Sequence, residues 1–404
     1  MSTPDVVVVG GGPAGSTLAA LLARRGREVV LLERSSTWRW RASGVFSSPA
    51  AVTALRRVGL SDAALASSVQ PIGAMRVEAS DGTAFRLTYG SDGRPDASPV
   101  GFDRQVLDQA LMAMAQAAGV DIRTGTTVTG ASLASAAPQL AVRDENGIHE
   151  LEARVVVGAD GIRSTVARGA GVTRQARLGR RIGLTYHVMD PRPPQPGRDA
   201  RMVILDHAYC GLAPVPGGRL NVGIVLAGAE WQRRLAGEGA AGVTTRILSA
   251  IPPAPDDPVD WAAAERLDPI EGAAPLGHRV SRRADDGWLL VGDAAGFLDP
   301  LTGEGLHRAI VSAELAATAI DAHLSDRRMS LVAYDRAMSA RFRAKDVVTL
   351  LIQAFVARPA LFRHAARRLA RRAPLRETMG LVIGDLAPAS RALEPTFLAG
   401  LLRP

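Results

Sequence analysis

The chain has one cysteine and one lysine in 404 residues. With Cys210 alone, neither a disulfide framework nor a cysteine-ligated zinc site can form, and a reducing, cytoplasmic setting is the expectation. Aromatic residues make up only 4% of the chain, and no basic stretch is interleaved with them, which disfavours nucleic acid as a partner. No apolar run approaches the roughly 20 residues needed to span a bilayer. The start, Met1 to Asp5, lacks the basic residues of a signal peptide. The histidines are scattered, with no Ser/His/Asp arrangement and no metal-ligand spacing, so no metal is expected. With 41 glycines and 25 prolines, the chain is not of low complexity and has no collagen-like period.

What is present is ordinary globular material, 47% hydrophobic and 22% charged. At roughly 100–200 residues per domain, the length suggests two domains or one large discontinuous one. The formal net charge is +8, and arginine supplies nearly all of the basic side chains. A basic surface permits anionic partners, phosphates and membrane surfaces among them.

The first forty residues are the most informative. Asp5 to Val9 reads as a short buried strand, and it runs into Gly10-Gly11-Gly12-Pro13-Ala14-Gly15 before an apolar helical pattern through Leu22. This is G-x-G-x-x-G in its required setting, after a strand and opening a helix. Gly10 allows the tight turn, Gly12 lets a pyrophosphate approach the backbone, and Gly15 lets helix and strand pack closely. Pro13 suits the first helical turn, and the helix start offers free N–H groups and a positive dipole to phosphate. A second strand, Glu28 to Leu32, ends at Glu33, 18 residues past Gly15, where a carboxylate accepts hydrogen bonds from an adenosine ribose. A glutamate there disfavours the 2′-phosphate of NADP. The fingerprint by itself leaves FAD and NAD open.

Two later segments repeat the pattern of a strand followed by a turn with glycine and aspartate. Arg154 to Val157 leads into Gly158-Ala159-Asp160-Gly161. Trp288 to Val291 leads into Gly292-Asp293-Ala294-Ala295-Gly296, then Pro300-Leu301-Thr302-Gly303-Glu304-Gly305-Leu306 and a long helical pattern through Ile320. Taken singly, each aspartate is as well explained as a helix cap or turn residue. Gly303 and Gly305 strip side chains from a loop that enters a helix, so its N–H groups and dipole face whatever lies in front.

The three motifs in this order resemble the FAD-dependent monooxygenases of the p-hydroxybenzoate hydroxylase type, closest in motif to the geranylgeranyl reductase and flavin halogenase branch. The resemblance covers most of residues 1–330. It implies an α/β fold: a Rossmann-like FAD-binding domain of the glutathione reductase type, an inserted antiparallel-sheet substrate domain, and C-terminal helices. By position, it implies that FAD is held by Gly10, Gly12, Pro13, Ala14, Gly15, Glu33 and Arg34. It adds the arginine loop Arg41, Ser43 and Gly44, then Arg104, Asp160, Gly161, Gly292, Asp293, Pro300, Gly303, Gly305 and Leu306. NAD(P)H is implied as a transient reductant, since no second dinucleotide fingerprint occurs. The FAD domain is expected from segments 1–70, 100–174 and 276–328, the substrate domain from 71–99 and 175–275, and a helical region from 329–404.

In the middle of the chain, Gly73 to Thr88 reads as a hairpin around Asp81-Gly82, and Gly90 to Pro99 as a polar loop. Arg181 to Val188 alternates, with Ile182, Leu184, Tyr186 and Val188 on one face; Arg201–Leu205 and Arg219–Ala227 are further strands. Tyr186, Met202 and Tyr209 are the candidate substrate residues, with His187, His207 and Trp231 as weaker ones. The tail, Ala340 to Arg376, reads as helical and basic, with an apolar stripe of Val347, Val348, Leu350, Leu351 and Phe355. Its Arg367, Arg368, Arg371 and Arg372 form a solvated face or a surface for anionic lipid or a carrier protein.

For the reaction, the cofactor carries the hard chemistry. Halogenation is disfavoured, because Lys345 lies in the tail and Trp38-Arg39-Trp40 is followed by Arg41-Ala42. The leading expectation is a monooxygenase that activates O2 at flavin C4a and hydroxylates or epoxidises an apolar or aromatic intermediate. The alternative is reduction of C=C bonds in an isoprenoid, which the form of Pro300–Gly305 favours. The cysteine often found in that family beside the loop glycine is here Ser43, and its sheet aromatic is missing near Gly211-Leu212.

Overall fold

The four valines Val6–Val9 are buried on both faces, as a central strand of a parallel sheet requires. In the computed structural model, which describes residues 3–90, 98–133, 137–176, 180–254 and 257–402, they sit in the middle of a six-stranded sheet. Its spatial order is Ala284–Asp285, Trp288–Leu290, Val155–Gly158, Val6–Val9, Val29–Glu33 and Asp121–Thr124. All pairs are parallel except the edge hairpin 284–290. Helices Pro13–Ala23, Arg104–Ala117 and Gly305–Ser325 cover one face. A three-stranded antiparallel meander, Thr127–Ser132, Gln139–Asp144 and Gly147–Glu152, covers the other with helix Thr165–Gly169. The chain is therefore α/β with a Rossmann-like core, as expected.

The second large element is a seven-stranded sheet, ordered Glu271–Ala273, Arg181–Met189, Arg219–Ala227, Ala208–Val215, Ala200–Leu205, Met75–Ala79 and Ala84–Leu87. It is antiparallel except for one parallel pair, Ala200–Leu205 beside Met75–Ala79, because that hairpin arrives from a distant part of the chain. One face packs under the kinked helix Ala229–Ser249, which breaks at Gly239 (φ +71°). Of the polar loop 90–99, residues 91–97 lie outside the described residues.

The tail is three helices rather than one: Val332–Val356, Pro359–Arg371 and Ala373–Ile383, followed by Pro395–Leu402. Pro359 and Pro374 each stand in a first helical turn, where a proline starts a helix but cannot continue one. The tail helices pack on the free face of the seven-stranded sheet. Of the expected apolar stripe, Val348 faces inward, while Val347 and Leu351 are exposed at 41% and 38%.

A buried charge cluster fastens these helices to the rest. Lys345, 3% exposed, donates to the carbonyls of Val382 (2.7 Å) and Ile383 (3.1 Å) and to Asp385 (2.8 Å). Asp385 also accepts from Ser48 (3.3 Å) and pairs with His307 (3.1 Å). Burial opposes ionisation of Asp385, but His307 and Lys345 hold its carboxyl well below the usual range. Lys345→Met keeps the volume but removes the ammonium from Asp385, leaving that buried carboxylate with His307 as its ion-pair partner. Breaking such a pair typically costs 3–5 kcal/mol, so urea unfolding of the variant should show a loss of about that size.

Candidate functional site

The three glycine turns lie side by side because the strands that feed them are neighbours. Val9 is paired with Gly158, and Gly158 with Leu290. Ala159 N–H donates to the Val9 carbonyl (2.8 Å) and Val291 N–H to the Gly158 carbonyl (2.9 Å). A Cβ placed on Gly10 would lie 2.5 Å from the Ala159 carbonyl oxygen, one on Gly15 1.9 Å from the Gly10 oxygen, and one on Gly292 2.9 Å from the Ala14 Cβ. Gly10 and Gly292 also have φ of +106° and +57°, so glycine is required there on two counts. All three turns occupy the carboxyl edge of the parallel strands, where open α/β sheets bind ligands.

The groups around this edge suit a dinucleotide. A Cβ on Gly12 would meet nothing within 4 Å, so it points into open space in front of the helix. That helix has no side-chain cap, leaving its first N–H groups available for phosphate. Glu33, 8% exposed, accepts N–H bonds from Gly11 (2.9 Å) and Ser35 (3.0 Å) and pairs with Arg41 (2.9 Å). Burial works against its charge, but those two N–H donors and the Arg41 guanidinium outweigh it and hold the carboxyl below its ordinary value. It is therefore ionised, as a ribose acceptor needs to be. Arg34 is exposed at the end of the same strand.

Arg104 joins the loop to the helix that it opens. Its guanidinium donates to the Gly44 carbonyl (3.1 Å) and to Asp108 (3.1 and 3.2 Å). This holds the segment Arg41–Gly44 against the site. Asp160 is a turn cap: one oxygen accepts from Thr165 N–H (2.6 Å), while the other is buried with no partner. The Asp293 carboxylate accepts no hydrogen bond among the described residues, and burial pushes it up to about 6 against the pull of Arg104 and Arg308. An unpartnered carboxylate and a buried orphan oxygen are sites awaiting donors, and a ribityl chain carries hydroxyls. The residues fit FAD.

Beyond the third turn, Gly303 (φ +64°) passes so close to Phe46 that a Cβ would lie 2.6 Å from its ring. Its carbonyl accepts from Ser47 Oγ (3.2 Å) and Ser48 N–H (3.3 Å). Helix Gly305–Ser325 starts there without a side-chain cap. Next to it lies a network that the sequence reading missed. Asp299, fully buried, accepts from Tyr209 Oη (2.7 Å), Gln353 Nε2 (2.6 Å) and Leu301 N–H (2.9 Å), and forms an ion pair with Arg181. Arg181 also donates to Gln353. The network joins the loop, the sheet and the tail helices at one point. Tyr209 stays protonated, because burial and the adjacent Asp299 raise it well above its ordinary value.

A cavity of about 120 Å³, open on one side, lies between the seven-stranded sheet and the tail helices. Met75, Val77, Phe85, Leu87, Met202 and Ile204 line it from the sheet side, Leu301 and Thr302 from the loop, and Val348 to Leu401 from the tail. None of the lining residues is charged. The buried Thr302 hydroxyl has no partner. Of the candidate substrate residues, Met202 lines the cavity, and Tyr209 lies on the same sheet face with its hydroxyl held by Asp299. Tyr186 does not reach it: it packs with Leu184, Val222 and Val243 on the opposite face, beneath helix 229–249. Alternation places Ile182, Leu184, Tyr186 and Val188 together as read, but their shared face is turned away from the loop. His187 meets Trp40 at a tilt (4.4 Å, 55°) and pairs with Asp268, His207 is exposed in a hairpin turn, and Trp231 lies in the first turn of helix 229–249, packed against the opposite face of the sheet.

A family model described as "FAD binding domain" matches residues 3–349. The chain belongs to that family. It is a flavoprotein oxidoreductase with FAD as its cofactor. It is 30% identical over 78% of its length to digeranylgeranylglycerophospholipid reductase 2 of Methanopyrus kandleri, covering 78% of that protein. It is 28% identical to the menaquinone reductase of Mycolicibacterium smegmatis, over 78% of this chain and 75% of that one. Among solved structures, a flavoprotein/dehydrogenase from Cytophaga hutchinsonii superposes with a TM-score of 0.82 at 19% identity, over 97% of this chain and 95% of that one.

Two substitutions separate cofactor binding from folding. Gly12→Leu projects into open space, so the variant should fold with wild-type stability yet be purified colourless; full FAD occupancy would disprove the phosphate role. Asp293→Asn removes a carboxylate whose raised pKa costs stability above pH 6, a cost that vanishes below the ordinary carboxylate range. The FAD-free variant should therefore be more stable than wild type at pH 8 by about 1–3 kcal/mol, while its FAD dissociates more readily. Wild-type FAD retention should weaken as pH falls through about 6, and the asparagine variant should lose that dependence.

Proposed function

We propose that this flavoprotein holds a long apolar substrate in the cavity against the loop Pro300–Leu306 and saturates one of its carbon–carbon double bonds, drawing electrons from NAD(P)H. The single observation that carries the reading is the lining of the cavity: no charged side chain stands in its wall, which ends at Leu301 and Thr302 of that loop. Burying apolar surface there gains roughly 25 cal/mol per Å², so an isoprenoid-like chain needs no charged anchor. The two reductases cited above act on isoprenoid-bearing molecules by their names, which supports the same substrate class.

FAD, when bound, supplies the hydride, and a proton completes the saturated bond. The protein's part is positioning. Gly10 makes the tight turn and Pro13 starts the helix, while Gly12, Ala14 and Gly15 would present N–H groups and the helix dipole to the pyrophosphate, and Glu33 would take the ribose hydroxyls. Arg41, Ser43, Gly44 and Arg104 close over the cofactor. Asp160 and Gly161 flank it, and Gly292 and Asp293 receive the ribityl chain. Pro300 and Gly303 shape the turn through the Gly303 N–H bond to the Pro300 carbonyl (3.0 Å), so that Gly305 and Leu306 at the uncapped helix start would offer N–H groups and the dipole to the flavin edge that becomes negative on reduction, an interaction worth up to about 2 kcal/mol. The Arg181–Asp299–Gln353 network keeps that loop in register with the cavity, and the apolar wall keeps water out.

A second reading, oxygen insertion into the same apolar substrate, is favoured by Ser43, which stands where reductases of this type often carry cysteine. One experiment decides between them. Holoenzyme, NAD(P)H and geranylgeraniol are incubated under argon and under air, and the product is weighed by mass spectrometry. A gain of two hydrogens under argon is expected. A gain of one oxygen, only in air, supports the second reading. No product in either arm, with no perturbation of the flavin spectrum, overturns the apolar-substrate assignment.

A further inference from the structure

Charge is distributed unevenly along this chain. Residues 329–404 contain thirteen basic and five acidic side chains, so this last stretch carries the entire formal charge of +8 and residues 1–328 are neutral. The structure shows that the same stretch supplies one wall of the apolar cavity. Helix Pro359–Arg371 divides sharply. Phe362, Ala365 and Leu369 face the cavity, whereas Arg367 and Arg371 are exposed, and Arg372 follows immediately.

The neighbouring helix, Val332–Val356, continues the pattern. Arg343, Val347 and Leu351 recur every four residues on one exposed stripe. Leu351 is both exposed at 38% and part of the cavity wall, so it stands at the mouth. Leu386 adds a further exposed apolar side chain, one residue from the Asp385 to which Lys345 of the same helix is bonded. Arg343, Arg358, Arg371 and Arg372 form no ion pair with a described carboxylate. An exposed apolar edge at the mouth of an apolar cavity, set among unpaired arginines, matches an anionic interface rather than bulk water.

We propose that the helices of residues 332–402 dock on the surface of an anionic phospholipid bilayer, with the cavity mouth at Leu351 turned toward the lipid, so that the substrate passes between membrane and cavity without crossing water. The proposal rests on the apolar-substrate reading for its purpose, but the docking itself is measured without turnover. Arginines near such a surface act through the leaflet's negative potential, each worth about fivefold in partition, so docking is salt-sensitive.

The test is flotation of the FAD-loaded protein with vesicles of phosphatidylcholine, alone or with about one-third phosphatidylglycerol. Binding to the anionic vesicles is expected, with little to the neutral ones and release at high salt. The triple variant Arg358→Glu, Arg371→Glu, Arg372→Glu should bind at least about 100-fold more weakly. Val347→Asn should weaken binding several-fold and leave its salt dependence intact. Bound FAD and unfolding midpoints of the variants should match wild type, as should the flavin spectral change on adding detergent-dispersed geranylgeraniol. Equal binding to both vesicle types, no binding to either, or an unaffected triple variant would overturn the proposal. Retention on an immobilised acidic carrier protein without vesicle binding would assign the surface to a protein partner instead. Vesicle binding without any flavin response to geranylgeraniol would leave the docking in place and remove the substrate reading alone.

Discussion

Three backbone turns occupy a space that side chains would fill. Gly10 against Ala159, Gly15 against the Gly10 carbonyl and Gly292 against Ala14 are contacts in which a methyl group would collide with main chain or with another Cβ. Because the turns close on one another, the carboxyl ends of strands 6–9, 155–158 and 288–290 form a single edge. The N–H groups of the helix start and the carboxylates of Asp160 and Asp293 are thereby gathered along that one edge. Cofactor binding, the placement of the Pro300–Leu306 loop and the position of the cavity beyond it all depend on this approach.

That edge is braced from behind by residues far away in the chain. Gly292 N–H donates to Ser312, and Tyr334 donates to the Leu290 carbonyl, so the helices after the third motif hold its strand in place. Lys345 and Asp385 lock the tail to His307, the residue after the loop. Asp299 draws together the loop, the sheet through Tyr209 and Arg181, and the tail through Gln353. Buried ion pairs of this kind contribute little net stability, since desolvation offsets most of the Coulomb gain. What they supply is register: each carboxylate is satisfied in one arrangement of loop, sheet and helices. A cavity whose wall is uncharged and almost wholly apolar has few directional contacts of its own, so the polar clusters beside it set its shape.

The lone lysine illustrates how context assigns a role. Its Nζ is consumed by two carbonyls and Asp385, partners that only the fold could reveal. The tail behaves in the same way. As a sequence it is a basic helical stretch; in the structure one side of it is the inner wall of a cavity and the other is nearly all of the molecule's unbalanced charge.

Residues 5–33 made the first βαβ turn legible, because strand, glycine turn, helix and terminal acid are consecutive and each carries a local signature. The later turns at Asp160 and Asp293 were legible for the same reason, and so was the hairpin around Asp81-Gly82. Alternation correctly grouped Ile182, Leu184, Tyr186 and Val188, yet period two specifies only which residues share a face. Whether that face meets the cofactor or helix 229–249 is decided by what packs on the sheet, and Tyr186 went to the helix. The cavity had no sequence signal as a cavity, since its lining runs from Met75 to Leu401 and is assembled by long-range packing. The buried partners of Asp299 and Lys345 were hidden likewise, because ion pairs between residues 118 and 40 positions apart leave no spacing to read. Local backbone chemistry, in short, was written in the order of the residues; the facing of sheets, the walls of the cavity and the pairing of buried charges came only from how distant segments exclude water together.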